Sequence, residues 1–161
     1  MLSAMKQITR KGLDWLDDAP LLLRATRRIE APPEAVWARI ADHAGWTQWF
    51  NGLKKVVPGS PATGVGGGRT VSLAGGLTLE EEFLAWDENR RFAFVVTHMK
   101  PRILRTLVED VELEPTADGA TMVTYRQGWD PIGGKPVQAL LRKSTQPQLE
   151  KALEELERLV T

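Results

Sequence analysis

Six polar residues between positions 81 and 127 have side chains that can move protons, polarise a carbonyl group or form ion pairs. They are Glu81, His98, Arg105, Glu109, Tyr125 and Gln127. Each lies in a segment with strand-like alternation, at a position that shares a face with apolar neighbours. Buried polar groups need a partner or a ligand. The pattern therefore predicts either a polar site within an apolar cavity or a set of buried ion pairs.

Each of these residues also has a purely structural interpretation. Glu81 or Glu109 could form a buried ion pair with Arg105, and such pairs often do no chemistry. His98 lies at a strand end before a proline, where a solvated or structural histidine is common. The ring of Tyr125 could simply pack while its hydroxyl group forms a hydrogen bond. The sequence leaves both interpretations open.

Aromatic residues recur in the same part of the chain and are candidates for lining a cavity. Together with Arg105 and Tyr125, the candidate ligand-binding residues are Trp37, Trp46, Trp49, Phe50, Phe83, Phe94 and Trp129. The alternative is an ordinary aromatic core. Trp46, Trp49 and Phe50 fall at helical spacing between Gly45 and Gly52, which predicts a short element at a cavity mouth.

The surrounding pattern predicts an α+β fold with one domain over 20–161. Alternation predicts a first strand at 21–30, and proline-led apolar spacing predicts two short helices between 31 and 52. Later strands are expected near 53–57, 69–74, 77–86, 91–99, 102–114 and 120–129. The short joints between them favour an antiparallel meander. A helical period returns after residue 134, with Pro147 expected to kink or divide the helix.

The first 19 residues form an N-terminal extension with mixed basic and apolar residues. Their spacing over 1–18 is compatible with a short amphipathic helix that lies over the domain.

Composition excludes several classes of function. Lys plus Arg and Asp plus Glu each total 21, so no net positive charge favours nucleic acid. The sequence has no cysteine and two histidines, so we expect neither a metal site nor another cofactor. No apolar run approaches the length of a membrane span, and the opening residues lack a secretion signal. We expect a cytoplasmic monomer or homodimer with no integral membrane segment.

Two segments carry a family resemblance. IEAPPEAVWARIADHAGWTQWFNGLKKV at 29–56 resembles the opening strand and helix pair of the START-like or SRPBCC superfamily, and LEEEFLAWDENRRFAFVV at 79–96 resembles its central hairpin. Within that superfamily the sequence is most similar to bacterial polyketide cyclase or dehydrase-like proteins. The resemblance implies a helix-grip fold, in which a curved antiparallel sheet wraps around a long C-terminal helix and encloses a cavity.

Three functions are compatible with that fold. The one we favour is binding of a hydrophobic small molecule, such as a lipid or polyketide, without turnover. The second is a cyclase or dehydratase in which Arg105 or His98 polarises a carbonyl group while Glu81, Glu109 or Tyr125 moves a proton. The third is a protein-interaction or chaperone-regulating module that uses surface basic residues.

Overall fold

The computed structural model describes residues 4–161, and most of them belong to one antiparallel sheet and one long helix. The strands are β1 (Lys6–Gln7), β2 (Leu21–Ile29), β3 (Leu53–Pro58), β4 (Gly68–Leu73), β5 (Thr78–Asp87), β6 (Arg91–Lys100), β7 (Leu104–Pro115) and β8 (Thr121–Pro131). The helices are α1 (Pro33–Ala41), α2 (Gly134–Val160) and two 3₁₀ helices, Leu13–Asp18 and Ala44–Gln48. The predicted α+β helix-grip fold is confirmed.

The sheet is a curved meander of eight strands. Strands β3 to β8 follow one another in space as in sequence, and β2 pairs with the far side of β8. Short turns permit this order, because antiparallel neighbours need only a hairpin connection. In the turn between β5 and β6, Asn89 adopts a positive φ of 64°, which asparagine tolerates better than most residues. The predicted strand positions agree with these strands to within a few residues.

The C-terminal half of α2 lies against the sheet. Its apolar stripe is fully buried at Leu149, Ala152, Leu153 and Leu156. Side chains in 134–144, by contrast, are at most half-buried, and Leu140 is 66% exposed. The helix continues through Pro147, so of the two outcomes expected there, a kink or a division, the division does not occur. Most of the buried surface of α2 therefore lies in its second half, while Leu141 of the first half packs against the edge of the core.

The N-terminal extension crosses the sheet as a strap instead of forming an amphipathic helix. Its β1 pairs with the end of β6, and the amide of Thr9 donates to the carbonyl of Arg105 at 2.8 Å. The side chain of Ile8 is buried in the main core. The helical prediction for 1–18 is thus wrong over 4–12, whereas 1–3 lie outside the described residues.

Residues 13–18 of the extension form the first 3₁₀ helix, which covers a second, smaller apolar cluster. Leu16 packs there with Val95 and Val108. The neighbouring Gly128 of β8 has no room for a side chain, since a Cβ atom would come within 2.9 Å of Leu16. Glycine at this position therefore lets the extension approach the sheet closely.

Candidate functional site

A cavity lies between the sheet and the middle of α2. It encloses about 70 Å³. Its apolar wall comes mainly from the strands: Leu53, Val71, Leu73, Leu77, Leu79, Phe94, Leu104 and Leu107. Thr145 and Gln148 line it from α2. Cavities of this composition, apolar with few polar groups, are typical of small-molecule sites.

Eight of the residues singled out from the sequence line this cavity. The polar ones are Glu81, Glu109, Tyr125 and Gln127, and the aromatic ones are Trp46, Phe50, Phe94 and Trp129. Six of the eight lie on strands, and where the strands are regular, positions two apart stay on one face, as alternation predicts.

Three of the aromatic candidates lie outside the lining. Phe83 and Trp37 both contact Trp86 within an aromatic cluster, with ring centroids 5.5 and 5.3 Å from that indole. Trp49 packs against Trp46 at 4.3 Å and supports it from behind. Their prediction as ligand-contacting residues is corrected: all three are core residues beside the cavity.

His98 lies on the opposite face of the sheet from the cavity. In the pairing of β5 with β6, Glu81 faces Val96 while Glu80 faces His98, so the register shifts by one residue at Thr97. Such a bulge reverses the alternation beyond it. The Nδ1 atom of His98 lies 3.3 Å from the Glu80 carboxylate, and its side chain is 39% exposed. The expectation that His98 shares a face with Phe94 is therefore wrong.

Arg105 is also outside the cavity, for the same physical reason. Leu104 pairs with Pro131 and Thr106 with Asp130, which leaves Arg105 as the extra residue of a bulge. Its guanidinium donates to the carbonyl of Pro131 at 3.2 Å and is half exposed. Because of this bulge, Leu104 lines the cavity and Ile103 is exposed. The predicted ion pairs of Arg105 with Glu81 or Glu109 do not form.

The arginine inside the cavity is Arg69, which the sequence analysis did not select. Its Nε atom donates to Glu81 at 2.6 Å, and both side chains are almost fully buried. Its guanidinium lies 4.1 Å from the ring centroid of Trp46, which adds a cation–π contact. Burial raises the pKa of Glu81, and the Arg69 charge opposes that shift. Alternation of Arg69 with Val71 and Leu73 is the signal that could have identified it.

His43 supports the guanidinium from the other side. Its Nδ1 atom lies 3.4 Å from Nη1 of Arg69, and its Nε2 atom lies 2.7 Å from the carbonyl oxygen of Ala62. Desolvation lowers the pKa of His43, and the Arg69 charge lowers it further. A neutral imidazole here donates from Nε2 to Ala62 and leaves Nδ1 to accept from Arg69.

Glu109 is the centre of a second buried group. Its Oε1 atom accepts a short hydrogen bond from the Tyr125 hydroxyl and another from Nε2 of Gln127 at 3.0 Å. The indole of Trp129 in turn donates to Oε1 of Gln127 at 3.1 Å. Burial, with a smaller effect from the Glu81 charge, raises the pKa of Glu109 to about 8. This carboxyl group is thus protonated at neutral pH.

The Arg69–Glu81 pair and the hydrogen-bonded group around Glu109 form a polar surface on the otherwise apolar wall of the cavity. This polar surface carries no net charge. Arg69 and Glu81 compensate each other, and Glu109 is neutral. Such a surface can hold the polar part of a ligand by hydrogen bonds while the wall accommodates an apolar part.

Comparison with known proteins defines the class. A START superfamily protein from Mycobacterium smegmatis superimposes with a TM-score of 0.71 at 15% identity, over 87% of this chain and 99% of the other. The protein TTHA0849 from Thermus thermophilus gives a TM-score of 0.69 at 21% identity, over 86% and 96%. The fold is thus that of the START-like, or SRPBCC, superfamily.

Sequence comparison defines the family. Residues 21–161 match the family model described as polyketide cyclase / dehydrase and lipid transport. An uncharacterised protein of Mycobacterium tuberculosis is 31% identical over 114 residues, which are 70% of this chain and 68% of that protein. The chain belongs to the polyketide cyclase/dehydrase and lipid transport family. The N-terminal strap precedes the part of the chain that the family model matches.

Proposed function

We propose that this protein binds a hydrophobic small molecule, such as a lipid or polyketide, between the sheet and α2, for transport or sequestration. The observation that carries the proposal is the cavity itself, an apolar space with a balanced polar surface on one wall. A solid core would leave no such space, since protein interiors are close-packed. The family description, which includes lipid transport, supports the same function.

The cavity volume limits what can bind without movement. Because a water molecule occupies about 10–15 Å³ of such space, 70 Å³ has room for about five waters. A compound of about five non-hydrogen atoms therefore suits the cavity as it stands. A larger ligand needs displacement of a wall, and residues 134–144 of α2, none of which is fully buried, are a segment with little core packing to lose.

The cyclase or dehydratase alternative has less support. It relied on His98 or Arg105 to polarise a carbonyl group, and both side chains lie outside the cavity. Arg69 is an arginine that does line the cavity, but its Nε atom donates a hydrogen bond to Glu81. The binding function requires none of these residues to act as an acid or base.

Binding can be tested by native mass spectrometry and tryptophan fluorescence. We expect purified protein to carry a removable apolar compound, and the stripped protein to change its emission when such a compound is added, because Trp46 and Trp129 line the cavity. The variant Val71→Phe fills the cavity and should weaken binding about tenfold or more, since overpacking costs about 1–3 kcal/mol. The matched control Val57→Phe changes an exposed residue of β3 and should bind normally. Equal binding by both variants would contradict the proposed site.

The sequence also led to predictions about the location of the protein, its partners and its oligomeric state. Among the described residues, no helix combines the length and apolar character needed to cross a membrane. A cytoplasmic location, the lack of nucleic-acid binding and a monomeric or homodimeric state stay predictions from the sequence.

A further inference from the structure

Glu109 is a buried carboxyl group whose hydrogen-bond partners are both neutral. Both of its bonding partners, the Tyr125 hydroxyl and the Gln127 amide, donate to the same atom, Oε1. Among residues 4–161, no cation forms a salt bridge with Glu109. A buried carboxylate without a cation is strongly disfavoured, so the proton resides on this group. With Oε1 occupied as an acceptor, Oε2 carries that proton and can donate it.

Two charged groups face Glu109 and act on it in opposite directions. Glu81 on β5 disfavours a second negative charge, whereas Arg69 on β4 favours one, but the Arg69 charge is already paired with Glu81. Tyr125 on β8 is neutral, because burial raises the pKa of its hydroxyl group well above the usual value. The residues of α2 that line the cavity, Thr145 and Gln148, carry no charge. An additional anion in this space would therefore have to share Arg69 with Glu81.

We propose that the cavity selects an uncharged ligand whose carbonyl or hydroxyl oxygen accepts a hydrogen bond from the Glu109 carboxyl group, and that it discriminates against carboxylate ligands such as fatty-acid anions. This inference rests on the proposed binding function and names the ligand class for the same site. The polar oxygen of the ligand lies near Glu109, and its apolar part lies along the leucine wall.

A matched pair of compounds tests the proposal. 2-Butanone and propanoate each have five non-hydrogen atoms and share an ethyl group, but the first ends in a neutral methyl ketone and the second in a carboxylate. We expect 2-butanone to bind at least about tenfold more tightly at pH 7, which corresponds to about 1.4 kcal/mol. Calorimetry or the emission of Trp46 and Trp129 would measure both affinities. Equal or tighter binding of propanoate would overturn this inference alone, and binding of neither compound would overturn the proposed function as well.

The pH dependence of ketone binding provides the second readout. Deprotonation of Glu109 removes the donor, so the affinity for 2-butanone should fall as the pH rises through about 8. Glu109→Gln keeps a donor at all pH values and should abolish that fall. Glu114→Gln, at an exposed position of the same strand, is the control and should behave as the wild type. A pH-independent wild type, or a fall that persists in Glu109→Gln, would overturn the assignment of Glu109 as the donor.

Discussion

At the scale of residues, the main feature of the site is the different states of two buried glutamates. Glu81 has a guanidinium partner at 2.6 Å, whereas Glu109 has only neutral donors. The first can therefore remain ionised within a pair, while the second is more stable with its proton. One cavity thus contains an ion pair and a neutral acid side by side.

The protonation of Glu109 makes the stability of the protein depend on pH. The pKa of this group is about 8 in the folded protein and 4.5 without burial, so the unfolded chain loses the proton first as the pH rises. Stability that is present below pH 4.5 is accordingly lost as the pH rises towards 8. Relative to Glu109→Gln, the wild type should lose about 3 to 5 kcal/mol between pH 4.5 and 8. Urea unfolding at both pH values measures the difference, and parallel curves for the two proteins would argue against a neutral Glu109.

The sequence predicted individual site residues only where the strands are regular. Alternation located Glu81, Glu109 and Tyr125 in the cavity. It failed at His98 and Arg105, because a bulge depends on how two strands pair and leaves no mark in the alternation of one of them.

At the scale of elements, the N-terminal strap closes a gap in the sheet. Strand β6 pairs with β7 only over Arg91–Val95, and β1 occupies the edge of β6 beyond that point. The amide of Ile8 donates to the carbonyl of Thr97, and the amide of Thr9 donates to that of Arg105, so the strap bonds to both strands. The bulges at Thr97 and Arg105 lie directly beside it. The two bulges and the strap are therefore in contact at one place in the sheet.

Removal of the Ile8 side chain should therefore destabilise the whole domain. Ile8 is 5% exposed and packs in the main core, so Ile8→Ala should lower the free energy of unfolding by about 2 kcal/mol or more. Lys6→Ala, two residues earlier and exposed, should change it by less than about 0.5 kcal/mol. Chemical denaturation measures both variants. If Ile8→Ala unfolds like the wild type, the strap contributes no core packing.

Most elements of the fold could be predicted, and the extension could not. Period-two alternation and turn residues determine the strands locally, and the helical period after residue 134 identifies α2 in the same way. The extension has a two-residue strand and a 3₁₀ turn, too short to produce a period of their own. Its conformation is determined by the gap between β6 and β7, which exists only after the sheet has formed.

At the scale of the whole molecule, the function depends on incomplete packing between the sheet and α2. The helix buries its stripe from Leu149 to Leu156, while Thr145 and Gln148 face the open space. The sequence and its family resemblance predicted that a cavity would exist. Its volume could not be predicted, because that depends on how side chains from several distant strands meet.

The most direct test of this account is a crystal held under xenon gas, because a xenon atom is an apolar probe small enough for the cavity. The anomalous scattering of xenon locates each bound atom without any assumption about where it binds. Since apolar cavities bind xenon, we expect a xenon peak in the space lined by Leu79, Leu104 and Leu107. A saturated crystal with xenon peaks only on the outer surface, or with none, would contradict the central claim that this space is a binding site.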